Sequence, residues 1–473
     1  MVINGQSADW IYLHISETGV RFRSALDLVG KGIFETDDIL QSNHPGFSPS
    51  VACIGPAGEN LSHIACIGVN KHRQFGRGGA GAVMGAKKMK AVVVDGELKI
   101  DYANEELFLE ENKRLTKAIL KNPSIKYRRQ KGTMLWVRRA QEYGMLPTRN
   151  FRDVRFDEFE RLTSETAREE LNWKDTNCFN CNIRCSKLAR FNGHELEGPE
   201  YETTAYLGSG CMIPDIKEVS ISNELCNDLG LDTISAGVTC SFAMECFERG
   251  LLNDTANLEL TWGNAAAQQE LIRLMAYRKG IGSVFADGTL KAAAQIKKGS
   301  EAIAINIFGM ELSGVNPKGS LMMCLSLSVA DFASHTRFWC LEQDMDDSFS
   351  INDIPKTVAD GIDLTNIRNS LIVCDFVPEH LGALATVLNA ATGFNHDATS
   401  LLEIGSNISD LARSYNVRNG RSGSDDILPQ RFFDEPIFSP LIPENKLDVS
   451  FFQSLVKSYY HERGWSNSGK PQP

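Results

Sequence analysis

The chain has 473 residues, of which 42% are hydrophobic and 23% charged, and a formal net charge of −11. That length exceeds what one hydrophobic core normally serves, so two or three domains and a large interior are expected. The acidic balance lacks the basic stripe of a nucleic-acid surface, and no apolar run reaches the length of a membrane span, so neither nucleic acid nor membrane is an expected partner.

The start, MVINGQSADW, has neither a basic nor an apolar leader segment, and the expectation is a cytoplasmic protein. Twelve cysteines scattered along such a chain suit a reducing compartment in which thiols serve as ligands or core residues. Trp10 to Ile15 and Val20 to Ser24 alternate apolar and polar around Glu17-Thr18-Gly19, which predicts a β-hairpin. The chain enters this hairpin abruptly, as though earlier strands were missing. Val51 to Ile54 reads as a strand, Gly55 to Asn60 as a turn and Ser62 to Val69 as a second strand.

Phe75 to Lys87 then sets Arg77 among glycines ahead of a short helix, before the buried strand Ala91 to Val94. Glycines admit an anion close to backbone N–H groups, and an arginine with a helix N-terminus adds positive potential, so phosphate binding is one reading. A glycine-rich turn packed between strands is the other; neither the Walker nor the Rossmann pattern is present.

From Asn104 the pattern turns helical, with Leu107, Leu109, Leu115, Ile119 and Leu120 approximating one face, and Met134 to Glu142 reads as a further helix. Cys178-Phe179-Asn180-Cys181-Asn182-Ile183-Arg184-Cys185 follows. Three thiols in a C-x2-C-x3-C run suggest a loop with about one helical turn holding an iron–sulfur cluster whose fourth ligand is remote. Zinc, which usually shows two paired hooks, and ordinary buried cysteines remain as alternatives.

Glu197-Gly198-Pro199-Glu200-Tyr201-Glu202-Thr203 gathers three carboxylates around an aromatic. Helices are predicted at Asp215 to Leu229, Ala236 to Arg249 and Ala265 to Arg278, the last two ended by Gly250 and Gly280. A mostly helical middle region is therefore expected around the thiols. Beyond Ile303 a polar segment brings Asp331, His335 and Arg337 close together, a helical run leads to Ile372-Val373-Cys374, and three more helices are predicted at Pro378 to Ala391, Thr399 to Val417 and Val449 to Arg463. Leu428 to Asn445, with four prolines, reads as a surface loop.

In this order the landmarks resemble the tungsten-dependent aldehyde ferredoxin oxidoreductase family over nearly all of the chain. The loop from Arg77 to Gly85 with Lys87 is similar to the family's pterin-phosphate loop, which places Arg77, Gly78, Gly79 and Ala80 among the cofactor-binding residues. Asn223 to Gly237, NELCNDLGLDTISAG, is the most specific match. The family's pattern D-x-x-G-L-D falls on Asn227, Gly230, Leu231 and Asp232. Its second copy, usually D-x-x-G-L-C, falls on Asn369, Ile372, Val373 and Cys374, where a charge is lost and glycine is replaced by isoleucine.

The resemblance implies an α+β fold: part of a β-rich pterin-binding sheet domain over residues 1–100, a helical domain with three cysteines over 101–302, and a helical domain with the fourth over 303–473. About a hundred residues at the family's N-terminus, the size of a small domain, are expected to be missing. The implied cofactors are a [4Fe–4S] cluster on Cys178, Cys181, Cys185 and Cys374 and a tungsten (or molybdenum) bis-molybdopterin, with Mg2+ bridging the pterin phosphates. Glu202 and His335 map to the catalytic carboxylate and histidine; read alone, they would be a surface acid and an ordinary hydrogen-bonded imidazole. The implied reaction oxidises a small aldehyde to a carboxylic acid and passes electrons to ferredoxin, in a chain that forms a homodimer. A class II benzoyl-CoA reductase-like catalytic subunit and a non-catalytic iron–sulfur fragment are the competing readings.

Overall fold

The computed structural model describes residues 2–44, 48–255, 257–344, 349–439, 441–442 and 444–472. The first region builds a six-stranded sheet from β1 (Ile11–Ser16), β2 (Gly19–Ser24), β3 (Ser50–Cys53), β4 (Ile67–Val69), β5 (Arg73–Phe75) and β6 (Met89–Val94), in the order β2-β1-β6-β3-β4-β5. The expected hairpin is β1–β2, with Ser16 opposite Gly19, and β1 runs parallel to β6. Alternation along each strand sends side chains to opposite faces. Tyr12, Val51, Ala91 and Val93 pack under the helix Ile33–Asn43 on one face, while Leu13, Ile54 and Met89 meet Met84 of the helix Ala80–Ala86 on the other.

The strand expected from Ser62 forms only at Ile67–Val69. Its first half is drawn away because the Cys66 N–H donates to the Gly230 carbonyl at 2.9 Å and Ala65 forms an isolated bridge with Leu231. The turn expected at Gly55 to Asn60 contains one turn of helix, Pro56–Glu59, with proline at its start, where a missing N–H costs nothing.

Beyond residue 100 helices dominate, as the α+β expectation holds, and four of them are started by a side-chain cap from Asn104 for Glu105–Lys121, Asp215 for Ile216–Leu229, Asp232 for Thr233–Glu248 and Asn264 for Ala265–Tyr277. The middle region also carries a three-stranded antiparallel sheet of β7 (Lys174–Thr176), β8 (Ser186–Phe191) and β9 (His194–Glu197). The thiols lie in the loop between β7 and β8, with no helical turn after them, which corrects the local picture expected from their spacing. The loop expected over Leu428 to Asn445 contains the short helix Arg431–Asp434; its Pro440 and Pro443 lie outside the described residues. Among the described residues no helix is long and apolar enough to cross a membrane.

One apolar core containing residues from Ala57 to Trp465 unites the two helical regions, with no break at residue 302. A buried ionic latch joins them as well. The Glu245 carboxylate accepts from Arg431 at 2.6 and 3.0 Å and from the Asn150 amide at 2.6 Å, and Glu245 and Arg431 are 0% and 2% exposed. Glu245→Ala strands the guanidinium in the interior and is expected to destabilise by about 3–5 kcal/mol, against a smaller loss for Glu245→Gln; denaturant midpoints of the two variants check this.

Candidate functional site

Asp232 caps the helix Thr233–Glu248, accepting from Ile234 N at 3.0 Å and Ser235 N at 3.2 Å. The same carboxylate accepts from Arg77 Nε at 3.0 Å. Arg77 also donates to the Ser235 hydroxyl and to the carbonyls of Glu311 and Ala333. The guanidinium thus joins the glycine loop to both helical regions, and its donors are spent inside the protein. Anion-facing capacity falls to the loop's backbone. Gly79 sits at φ +72°, where a Cβ would stand 2.6 Å from the His63 carbonyl oxygen. By contrast, a Cβ on Gly76 would meet nothing within 4 Å and one on Gly78 only Met310 at 4.0 Å. The chain itself does not fill the space along that edge, which fits a close-approaching group such as a pterin phosphate. Ala80 opens the following helix and is half-buried.

Gly230 adopts φ +78° and lies against Gly55, whose amide N a Cβ at 230 would approach to 2.9 Å. Leu231 beside it is fully buried. Asn227, one turn earlier, accepts from Gln74 at 2.5 Å and donates to Asn223 at 3.3 Å. Gln74, Asn223 and Asn227 line a cavity of about 230 Å³ together with Arg73, Gly76, Glu200, Glu202 and Thr233. Its walls offer amides, a guanidinium and hydroxyls, the donor and acceptor set that a pterin ring requires.

Glu202 and His335 meet at this site. His335 Nε2 lies 3.6 Å from Glu202 Oε1, beyond hydrogen-bond range, so both groups face a gap instead of satisfying each other. Each is oriented from behind. The Gly314 N–H donates to Glu202 Oε2 at 2.9 Å, and the Ser313 hydroxyl sits 3.0 Å from His335 Nδ1 and accepts from the His335 amide. Trp339 packs edge-on against the imidazole at 5.7 Å. Burial pushes the Glu202 carboxyl up to about 8, although the Gly314 N–H and Arg77 pull the other way. Burial, and then the Arg77 charge, push His335 down to about 3. At neutral pH the pair is therefore a carboxylic acid beside a neutral imidazole, not an ion pair.

Cys178 and Cys374 are exposed and Cys181 and Cys185 half-buried. Burial first, then Glu200, Cys374, Cys178 and Cys181, push the Cys185 thiol up to about 12, which places the four thiols in one electrostatic neighbourhood. Among the described residues no three of these sulfurs come within 4.8 Å of one another. A tetrahedral zinc site has edges of about 3.8 Å, from Zn–S bonds of about 2.3 Å, so the set is too open for one zinc ion; ligands shared among several irons stand wider. Arg73, which the sequence patterns did not single out, and Glu200, marked there only as one of three clustered carboxylates, connect thiols to cavity. Arg73 lines the cavity and interacts with Cys178, and Glu200 lines it and interacts with Cys185.

On the other side, Asn369 is exposed at the end of the helix Ile354–Ser370. Ile372 follows at φ +56° with its side chain 93% exposed. The turn has kept the backbone conformation that glycine favours while carrying a β-branched residue.

Residues 1–96 match the aldehyde ferredoxin oxidoreductase N-terminal domain, and residues 110–473 match domains 2 and 3 of that family. The tungsten-containing aldehyde ferredoxin oxidoreductases of Thermococcus kodakarensis and Pyrococcus furiosus are each 30% identical over 492 residues, covering 99% of this chain and 80% of theirs. An aliphatic sulfonate oxidoreductase, WOR-like subunit, of Pyrococcus furiosus is 27% identical, covering 100% of this chain and 78% of its own. Among solved structures, a chain of the active-site complex BamBC of benzoyl coenzyme A reductase with 1,5-dienoyl-CoA superposes with a TM-score of 0.81 at 24% identity, over 99% of this chain and 79% of that one. At that identity the likeness speaks for the fold alone.

A left-handed backbone costs an ordinary residue about 1–2 kcal/mol, and the exposed Ile372 side chain has no packing to lose. Ile372→Asn is expected to raise stability by about 1 kcal/mol, read as a higher Tm at unchanged cysteine reactivity.

Proposed function

This chain belongs to the aldehyde ferredoxin oxidoreductase family and is an oxidoreductase; from that premise we propose that it oxidises an aldehyde, with water, to a carboxylic acid. The observation that carries the reading is the gap between Glu202 and His335 at the edge of a polar cavity. A tungsten–bis-pterin centre, when bound, supplies the two-electron oxidation, and a [4Fe–4S] cluster gives the electrons a one-at-a-time exit.

The loop edge at Gly76 to Gly79 and the amides of Asn223, Asn227 and Gln74 are the residues that would hold the pterin, and Cys178, Cys181, Cys185 and Cys374 the cluster. Glu202 is the base. Its carboxylate takes the proton released when water or the aldehyde hydrate reacts, and its Oε1, turned toward the gap, is the receiving atom. His335, neutral and held at Nδ1 by Ser313, presents Nε2 to the substrate oxygen. An oxygen hydrogen-bonded to both groups at about 2.8 Å holds them roughly 4.5 Å apart, so the pair, now 3.6 Å apart, opens to admit it. Burial of Tyr201, Tyr206 and Trp136 around the pair limits water and suits a small apolar aldehyde.

Ferredoxin is the proposed acceptor. Phe179 and Ile372, 94% and 93% exposed, flank Cys178 and Cys374, so apolar contact area lies beside the ligands through which electrons would leave.

Glu202→Gln keeps the shape and removes the base; turnover is expected to fall by about 100-fold or more with tungsten and iron content intact. Undiminished turnover would remove Glu202 from the reaction. Because its folded pKa is raised, the carboxyl is protonated below about pH 8, so activity is expected to climb as pH rises toward 8 and to level off above it. A pH profile of kcat/KM checks the sign. Substrate class is tested by assaying aldehydes, aliphatic sulfonates and an aryl-CoA thioester side by side with ferredoxin as redox partner; oxidation of sulfonates or reduction of the thioester without aldehyde turnover overturns the proposal.

A further inference from the structure

On the far face of the N-terminal sheet, three metal-binding side chains converge that the oxidoreductase site does not use. His14 lies on β1, Asp95 follows β6, and His44 ends the helix Ile33–Asn43. Parallel pairing of β1 with β6 sets His14 beside Val93, and the Asp95 N–H donates to the Ile15 carbonyl at 3.0 Å, so the sheet register brings His14 and Asp95 together. Strand alternation points Tyr12 and His14 to the face covered by the helix, whose C-terminal end delivers His44. One ligand atom from each of the three lies within 4.8 Å of the others, and among the described residues this is the one such group.

We propose that His14, His44 and Asp95 bind a divalent transition-metal ion, for which zinc is the natural candidate. Two imidazoles and one carboxylate are a borderline N,N,O donor set that suits zinc and its first-row neighbours and disfavours calcium and magnesium, which prefer oxygen. The rings of His14 and His44 lie 4.1 Å apart at 53°, tilted toward each other and not stacked flat.

Two further observations point to a ligand. His14 Nδ1 is buried with no hydrogen-bond partner, although its Nε2 lies 2.7 Å from Asp95 Oδ2. A buried imidazole nitrogen without a partner is unfavourable and is readily explained by an ion or by reorientation of the ring onto one. Asp95, half-buried, pairs among the described residues with His14 and with no lysine or arginine. The Tyr12 hydroxyl, 3.4 Å from His44 Nε2, closes one side. Arg21 and Arg23 of β2 stand across from His14 and Tyr12 in register, exposed to solvent; their charge opposes a dication, while Asp95 attracts it.

The ion would act as a staple. The helix that ends at His44 begins beside the oxidoreductase site, where the Phe34 N–H donates to Asp228 at 3.0 Å, the residue next to Asn227. Fixing its far end to two adjacent strands holds that helix, and with it the turn from Asn227 to Asp232, against the sheet.

Cobalt(II) tests this on the full chain, purified without oxygen and with its iron cluster in place so that the cysteines are occupied. Imidazole and carboxylate ligation gives visible d–d absorption without the near-ultraviolet sulfur-to-cobalt band that thiolate ligation would add. The expected result is one equivalent of cobalt bound without the sulfur band, displaced by one equivalent of zinc, with a zinc-dependent rise in Tm. His44→Ala, at a half-buried helix end, and the shape-preserving Asp95→Asn are each expected to weaken binding by about 100-fold and to abolish the Tm rise while leaving the far-ultraviolet spectrum unchanged. Binding equal in the wild type and both variants, binding only with the sulfur band, or no binding at all overturns the proposal.

Discussion

A single guanidinium, Arg77, carries the junction on which the rest of this site depends. It comes from the glycine loop of the sheet domain, is neutralised by the Asp232 carboxylate that caps a buried helix, and reaches the carbonyls of Glu311 and Ala333 in the last region. Both partners of the ion pair are nearly enclosed, 10% and 6% exposed. Removing either would leave an uncompensated charge in a place where water cannot relieve it. The same charge acts on the chemistry: it opposes the upward push of burial on Glu202 and joins burial in holding His335 neutral. One residue thus contributes both to the contact between the regions and to the tuning of the candidate acid–base pair.

The thiol loop is held by a different device. Lys187 is 2% exposed and donates to the Arg129 and Cys185 carbonyls at 2.9 and 3.0 Å. Arg129 in turn donates from its side chain to the carbonyls of Ile183 and Asn182. The carbonyls of Asn182, Ile183 and Cys185 are thereby held by two cations, which fixes the loop that carries the thiols. On the opposite side Cys374 sits just before a segment that Arg368 ties down through the carbonyls of Asp375, Val377 and Glu379. Two independent scaffolds therefore present thiols to one neighbourhood, the arrangement that the proposed cluster with a remote fourth ligand would need.

Much of this was legible beforehand because it rests on local chemistry. Asp215, Asp232 and Asn264 cap helices by bonding their own next turn, and glycine at a left-handed position is a local demand, so element starts and the glycine loop could be read from residue order. The helix Leu321–Val329 was not seen: all nine residues are buried, so it shows no polar face and no period to detect. The strands β7 to β9 escaped for the opposite reason, being short and largely polar. Nothing local marked Arg73, and Glu200 showed only as one of three clustered carboxylates, because their significance is a shared wall with a cavity and an interaction with the cysteines.

The sequence by itself determined the ligand and donor chemistry: which residues can bind iron, hold a proton or cap a helix, together with the motif order that resembles the family. Those properties belong to single side chains and to spacings of a few residues. Tertiary structure decided everything that needs burial or convergence. It made Glu202 an acid with its pKa near 8 by removing water, spent Arg77 on the fold instead of on an anion, and brought His14, His44 and Asp95 together from three elements. Solvation and distance across the chain are set by packing, and neither is written in the neighbours of a residue.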